Sequence, residues 1–265
     1  MSAPMNTPAD QLSSGSALAG KTALVTGAGR NIGRAIALAL AQAGARVAVN
    51  VRSSTQEGQA VVDEIIGLGG QALLVQADVT DRAQVDAMLA AVVARFGGLD
   101  ILVNNAAIRH EAAFPDLAYA DWRATFAVCV DGAFHCTQSA FSLLCTSPAG
   151  AVINIGGLTA NTGAAQRAHV VAAKAALGGL TRALAHDFAP YGVTVNCVSP
   201  GMMDTVRQRD SATPRPHHHG QRKPLLERRG HPDEVASAVL WLAGPGGRFA
   251  TGQTIHINGG AFLGE

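Results

Sequence analysis

Seven short apolar runs, separated by stretches of helical periodicity, predict an α/β protein built on one doubly wound, seven-stranded parallel sheet. The runs fall at 22–26, 46–50, 71–76, 99–103, 151–155, 193–197 and 253–257, and apolar residues are the majority in all but the last, as suits strands covered on both faces. The chain has 265 residues, 48% of them hydrophobic and 15% charged, which suits one domain with a large core. A turn holding Gly27, Gly29 and Gly33 leads from the first run into a segment whose apolar residues Ile32, Ile36, Leu40 and Ala43 share one helical face. A ligand of such a fold belongs at the carboxyl ends of the strands.

The Gly turn comes first because it has the most chemistry. Glycines let a backbone approach a pyrophosphate, and the helix start behind them presents free N–H groups and a partial positive charge. Run two ends in Asn50, Arg52, Ser53 and Ser54, and Arg30 stands in the Gly turn. A carboxylate there would hold a ribose 2′-OH. Two guanidiniums and two hydroxyls instead suit a 2′-phosphate, so the pattern predicts NADP(H) over NAD.

Beyond this, the spacing predicts helices over 55–69, from a cap at Thr80 or Asp81 to Phe96, over 121–145, over 165–189 and over 232–242. Gly97-Gly98 ends the second of these. The helix over 165–189 is poor in charge, which predicts burial against more than one neighbour, as in a subunit interface. Residues 1–17 read as a disordered Ser/Pro/Ala-rich tail and 18–265 as the domain, in which 203–230 breaks the pattern and reads as a substrate flap. A net charge of +1 and 5% aromatic residues give no footprint for nucleic acid, and no apolar run reaches the length of a membrane span. Four cysteines without CxxC spacing predict free thiols in a reducing cytoplasm.

The order Thr26-Gly27…Gly33, Asp78-Val79, Asn104-Asn105-Ala106, Ala172-Ala173-Lys174, Pro200-Gly201 and Thr251-Gly252…Gly259-Gly260 resembles the short-chain dehydrogenase/reductase family, with the 3-oxoacyl-carrier-protein reductases nearest in tone. The resemblance runs over about 18–262, with Asn31 where the family has its middle glycine. It implies a Rossmann-type fold and a homotetramer acting on a small-molecule substrate. It also implies a cofactor site made by Gly27, Arg30, Asn31, Ile32, Gly33, Arg52, Ser53, Asp78, Val79, Asn105, Ala106, Lys174, Pro200, Gly201, Met203 and Thr205.

The family's reaction centre, however, is missing from this chain. The position four residues before Lys174, where the family has its tyrosine, is Val170; the serine position is Gly157, and the asparagine position is Cys129. Three readings follow. The first is an NADP(H)-dependent oxidoreductase acting on a ketone, imine or related acceptor, with Lys174 and His169 as catalytic candidates. His169 titrates near neutrality but lies five residues, about 140°, from Lys174. In a variant of this reading a protonated imine needs no side-chain acid. The second is a cofactor-binding homologue without turnover, a sensor or partner subunit. The third is a lyase or hydrolase using Arg109, His110, Glu111 and His217–His219; their spacings match no standard metal site.

Overall fold

The computed structural model describes residues 17–205 and 223–264. The tail expected over 1–17 lies outside them except for Ala17, as do the middle of the expected flap, 206–222, and His217–His219. The seven strands are β1 (Thr22–Val25), β2 (Arg46–Val51), β3 (Gln71–Gln76), β4 (Ile101–Asn104), β5 (Ala151–Ile155), β6 (Thr194–Pro200) and β7 (Thr254–Ile257). They form one parallel sheet in the order β3-β2-β1-β4-β5-β6-β7, so the chain reverses direction between β1 and β4. That switch point opens a crevice at the strands' carboxyl ends.

Helices cover both faces: α1 (Asn31–Gln42), α2 (Thr55–Gly67) and α9 (Pro232–Ala243) on one, and α3 (Arg82–Phe96) with the helices after β4 on the other. Ile36, Leu40, Val235 and Val239 are fully buried in the first layer, and Val85, Val92, Leu144 and Phe188 equally so in the second. Asp81 caps α3 by accepting from the N–H groups of Ala83 and Gln84, and Gly97 ends it with φ 86°.

The segment expected as one helix over 121–145 is broken. It runs as α4 (Tyr119–Phe126), a π turn (Ala127–Asp131), α5 (Gly132–Ser139) and α6 (Phe141–Thr146). Close approach to the sheet end contributes: a Cβ on Gly132 would lie 2.6 Å from Val79 Cγ2. A π turn inside a helix commonly marks a functional site, and this one carries Cys129. A short helix, α7 (Thr159–Thr162), precedes α8 (Ala168–Phe188), which begins three residues later than its spacing predicts. Gln166, with φ 60°, turns the chain just before it.

Candidate active site

The crevice has a cofactor side and a reaction side; the first is shaped by backbone angles and pinned by the side chains of Thr26, Asn50 and Asn105. Gly27 has φ 62° and Asn31 φ 50°, both in the left-handed region. Asparagine is among the few residues that tolerate this, which explains how Asn31 stands in for a glycine. A Cβ on Gly33 would meet the Gly27 carbonyl oxygen at 2.4 Å and Asn105 Nδ2 at 2.6 Å, so only glycine fits.

Asn105 Nδ2 donates to the carbonyls of Thr26 (2.9 Å) and Gly27 (3.0 Å), and Thr26 Oγ1 accepts from the N–H groups of Asn105 (2.9 Å) and Ala106 (3.0 Å). The β1 and β4 ends are thereby locked at the switch point. Asn50 is buried and structural: its Oδ1 accepts from Gly27 N–H and its Nδ2 reaches the carbonyls of Val75 and Ala77. Asn104 likewise braces the sheet, donating to Asn154 Oδ1 (2.9 Å) and Thr137 Oγ1 (3.0 Å).

Arg52 and Ser53 are exposed past the end of β2. Arg30 is half-exposed, with Glu57 3.9 Å from its Nη1. Asp78 turns inward on its own loop, accepting from Thr80 N–H and Oγ1, and Val79 packs on the π turn. Pro200 ends β6, Gly201 N–H donates to Ile257, and Met203 is buried and pairs with Gly230. Ile32 is half-buried on α1, and Thr205 closes the first described stretch. The open Gly turn, the positive end of α1 and the cations past β2 fit an NADP-type dinucleotide in their donor chemistry.

On the reaction side, Lys174 is 7% exposed and its Nζ donates to the Ile155 carbonyl at 2.6 Å. Burial pushes its ammonium below the usual lysine range; Cys129 opposes this, Arg109 adds to it and Cys197 opposes it. A Cβ on Gly157 would touch only Lys174 Cγ, at 3.9 Å. The serine position therefore faces the lysine, with room to spare. Val170 is buried and carries no proton to give. Cys129 is also buried, in a crevice with Thr26, Val79, Asn104 and Ala106 that is too narrow for a water molecule.

His169 does not join this group. It is fully buried, packed against His110 with ring centroids 4.4 Å apart and the rings tilted by 43°, and neither ring nitrogen makes a hydrogen bond of ordinary geometry. Burial first, then the neighbouring His110 and Arg167, hold its pKa below the ordinary histidine value; Asp121 and the His110 carbonyl act the other way. His110 Nε2 lies 3.8 Å from Asp121. Among the described residues no cluster of three His, Cys, Asp or Glu could hold a metal.

Sequence reasoning missed Arg167, the N-cap of α8, which is 7% exposed with Glu111 3.8 Å from its Nη1. A lone arginine in an alanine-rich helix start was the available signal.

A fold with a dinucleotide crevice at this switch point defines the class, and the chain belongs to the short-chain dehydrogenase/reductase family. Residues 27–261 match the family model described as enoyl-(acyl carrier protein) reductase. The 3-oxoacyl-[acyl-carrier-protein] reductase FabG of Staphylococcus aureus is 38% identical over 243 residues, covering 92% of this chain and 98% of that one. The 3-oxoacyl-[acyl-carrier-protein] reductase of Synechocystis is 39% identical over 253 residues, covering 93% and 99%. A short-chain dehydrogenase from Burkholderia cenocepacia, solved in complex with NADP, is 40% identical with a TM-score of 0.85, covering 92% of this chain and 98% of that one.

Proposed function

We propose that the protein is an NADP(H)-dependent oxidoreductase that reduces a ketone, imine or related acceptor without the serine and tyrosine of its relatives. The observation that carries this is Lys174: a buried amine at the end of β5, facing the space left by Gly157, beside an intact Gly turn. When bound, the reduced dinucleotide supplies the hydride. Lys174 would hold the cofactor's ribose hydroxyls and, with Gly157 and Val170 carrying no proton, would also give the substrate oxygen its proton. The carbonyl would leave as an alcohol, its carbon having taken the hydride, and Lys174 would recover its proton from solvent.

The charge of Arg109 adds to the burial that holds the Lys174 ammonium below the usual lysine range, which favours release of its proton. His169 acts from behind the site, as packing that positions the loop carrying Arg109 and His110. Assembly as a homotetramer in the cytoplasm is part of the proposal; exposed Phe134, Trp241 and Phe249 supply apolar surface for it.

A second reading, a cofactor-binding subunit without turnover, is favoured by one observation: Val170, Gly157 and Cys129 together remove the usual proton path.

Calorimetry with NADPH and NADH, followed by NADPH oxidation over a panel of ketones, enones and imines, separates the two. The expected result is NADPH binding tighter than NADH, and turnover that falls at least about 10²-fold in Lys174→Met, the size of a lost general acid. Binding of neither dinucleotide would overturn the proposal. NADPH binding without turnover of any acceptor would leave the second reading in its place.

A further inference from the structure

One run of buried hydrogen bonds joins four elements of the reaction side. Thr137 Oγ1 on α5 accepts from Asn104 Nδ2 on β4 (3.0 Å), and the same amide donates to Asn154 Oδ1 on β5 (2.9 Å). Asn154 Nδ2 in turn donates to Thr181 Oγ1 on α8 (2.9 Å), whose hydroxyl donates to the Leu177 carbonyl one turn back (2.7 Å). None of the four polar side chains is more than 5% exposed.

Strand β5 and helix α8 are therefore tied twice, through consecutive residues of the strand. Asn154 holds Thr181, and the Ile155 carbonyl accepts from Lys174 Nζ at 2.6 Å. Lys174, Leu177 and Thr181 stand at i, i+3 and i+7, on the buried face of α8. The two ties differ in stiffness. Lysine reaches its acceptor over a flexible four-carbon stem, so that bond holds α8 loosely. The other tie is short at both ends. Both ends of the Asn154 amide are engaged, and Thr181, β-branched and bonded back to Leu177, has its hydroxyl committed to one direction. An apolar contact would let α8 slide along β5. This one would lose its hydrogen bond and leave a fully buried amide without an acceptor.

We propose that Thr181, acting through Asn154, is the positioning residue of the reaction side: the pair fixes α8 against β5 and so sets where the Lys174 amine stands beside Gly157. What Lys174 does there rests on the oxidoreductase reading given above; where it stands does not. The amine itself reports its position. Burial first, and then Arg109 in the loop after β4, hold its ammonium below the usual lysine range, while Cys129 in the π turn and Cys197 on β6 act the other way. A loosened α8 would let the amine meet water and its titration rise toward the ordinary range.

The test follows that titration in the full chain. The sequence has three lysines, Lys21, Lys174 and Lys223, so carbon-13 labelling at lysine Cε gives three signals by nuclear magnetic resonance, and Lys174→Met assigns the one that matters. Thr181→Val, which keeps the shape and removes the hydroxyl, is expected to move the Lys174 titration upward. Thr181→Ala, which lacks the hydroxyl and adds no bulk, is expected to do the same and serves if valine disturbs the fold. Thr181→Ser keeps the hydroxyl and is expected to titrate near the parent. Ile65→Val, in the core on the other face of the sheet, is expected to lower Tm and leave Lys174 unmoved. With an acceptor that the parent turns over, kcat in Thr181→Val is expected to fall about threefold to tenfold, the size of one net hydrogen bond. Added to Lys174→Met, the same substitution is expected to cost nothing further, because it acts through the lysine.

A folded Thr181→Val or Thr181→Ala protein whose Lys174 titrates as in the parent would overturn the positioning role. So would a Thr181→Ser or Ile65→Val protein that moves Lys174 as far, since both keep the hydroxyl, and so would a further fall of kcat in the Lys174→Met background. An upward shift confined to the variants without the hydroxyl, in a protein that reduces no acceptor, would leave the positioning role standing and overturn the oxidoreductase reading instead.

Discussion

The two sides of the crevice are built from different materials. On the β1-β2 side, the Gly turn is defined by backbone angles and carbonyls: Gly27 and Asn31 at positive φ, Gly33 pressed on a carbonyl, and Asn105 tying the turn down. On the β5-α8 side, the positions that carry chemistry in related proteins are side chains alone, and here they are Gly157, Val170 and Cys129. A backbone device tolerates few substitutions without loss of the fold, whereas side-chain devices can be exchanged while the sheet stays intact. Lys174 still ties α8 to the end of β5 by donating to the Ile155 carbonyl.

The largest effect that would sharpen this contrast is a gain of function. If only side chains are missing on the reaction side, Gly157→Ser with Val170→Tyr should create reduction of simple ketones about 10² to 10⁴-fold above the parent, the range of a positioned general acid. The space at Gly157 admits the serine, since its Cβ would meet only Lys174 Cγ at 3.9 Å. Val170→Tyr alone should give little, because nothing then holds the carbonyl. Initial rates of NADPH oxidation decide it, and a single Val170→Tyr variant as active as the double would break the comparison.

On the other side a loss is expected. Gly33→Ala forces a methyl to 2.4 Å from the Gly27 oxygen, and overpacking of this kind costs about 1–3 kcal/mol. Strain concentrated in the Gly turn should weaken NADPH by about tenfold to a hundredfold while the far-ultraviolet circular dichroism stays native. Unchanged NADPH affinity would mean that the turn yields, and that the backbone side is no stiffer than the other.

Much of the fold was legible because strand and helix periods differ, and all seven expected strands fall within a few residues of their observed bounds. The long helix over 121–145 was not, since a π turn keeps nearly the same apolar pattern as the α-helix around it, and Gly132, just after the turn, lies close against Val79, far away in sequence. The Gly turn was legible because glycines announce backbone geometry. Arg167 and the His110–His169 pair were not, because their meaning depends on a loop after β4 meeting the start of α8. Sequence spacing placed His169 off the Lys174 face, and the structure sets its ring against His110.

The smallest expected effect concerns that pair and asks whether the reaction side also carries a cost in stability. His169 has its pKa held below the ordinary value, by burial first and by His110 and Arg167 next, so the unfolded chain binds a proton more readily than the folded one. The sign follows: stability rises with pH where the unfolded histidine is protonated and the folded one is not, and falls as the pH drops below about 6.5 toward the lowered value. Asp121, 3.8 Å from His110 Nε2, and Arg167, itself 3.8 Å from Glu111, are the charged groups around the pair. Thermal melts of the parent and of His169→Leu between about pH 5 and pH 7.5 should diverge, the parent losing more of its Tm on acidification. Parallel melting curves would show that the buried imidazole takes up its proton without strain, and that the packing behind the reaction side is as forgiving as the side chains in front of it.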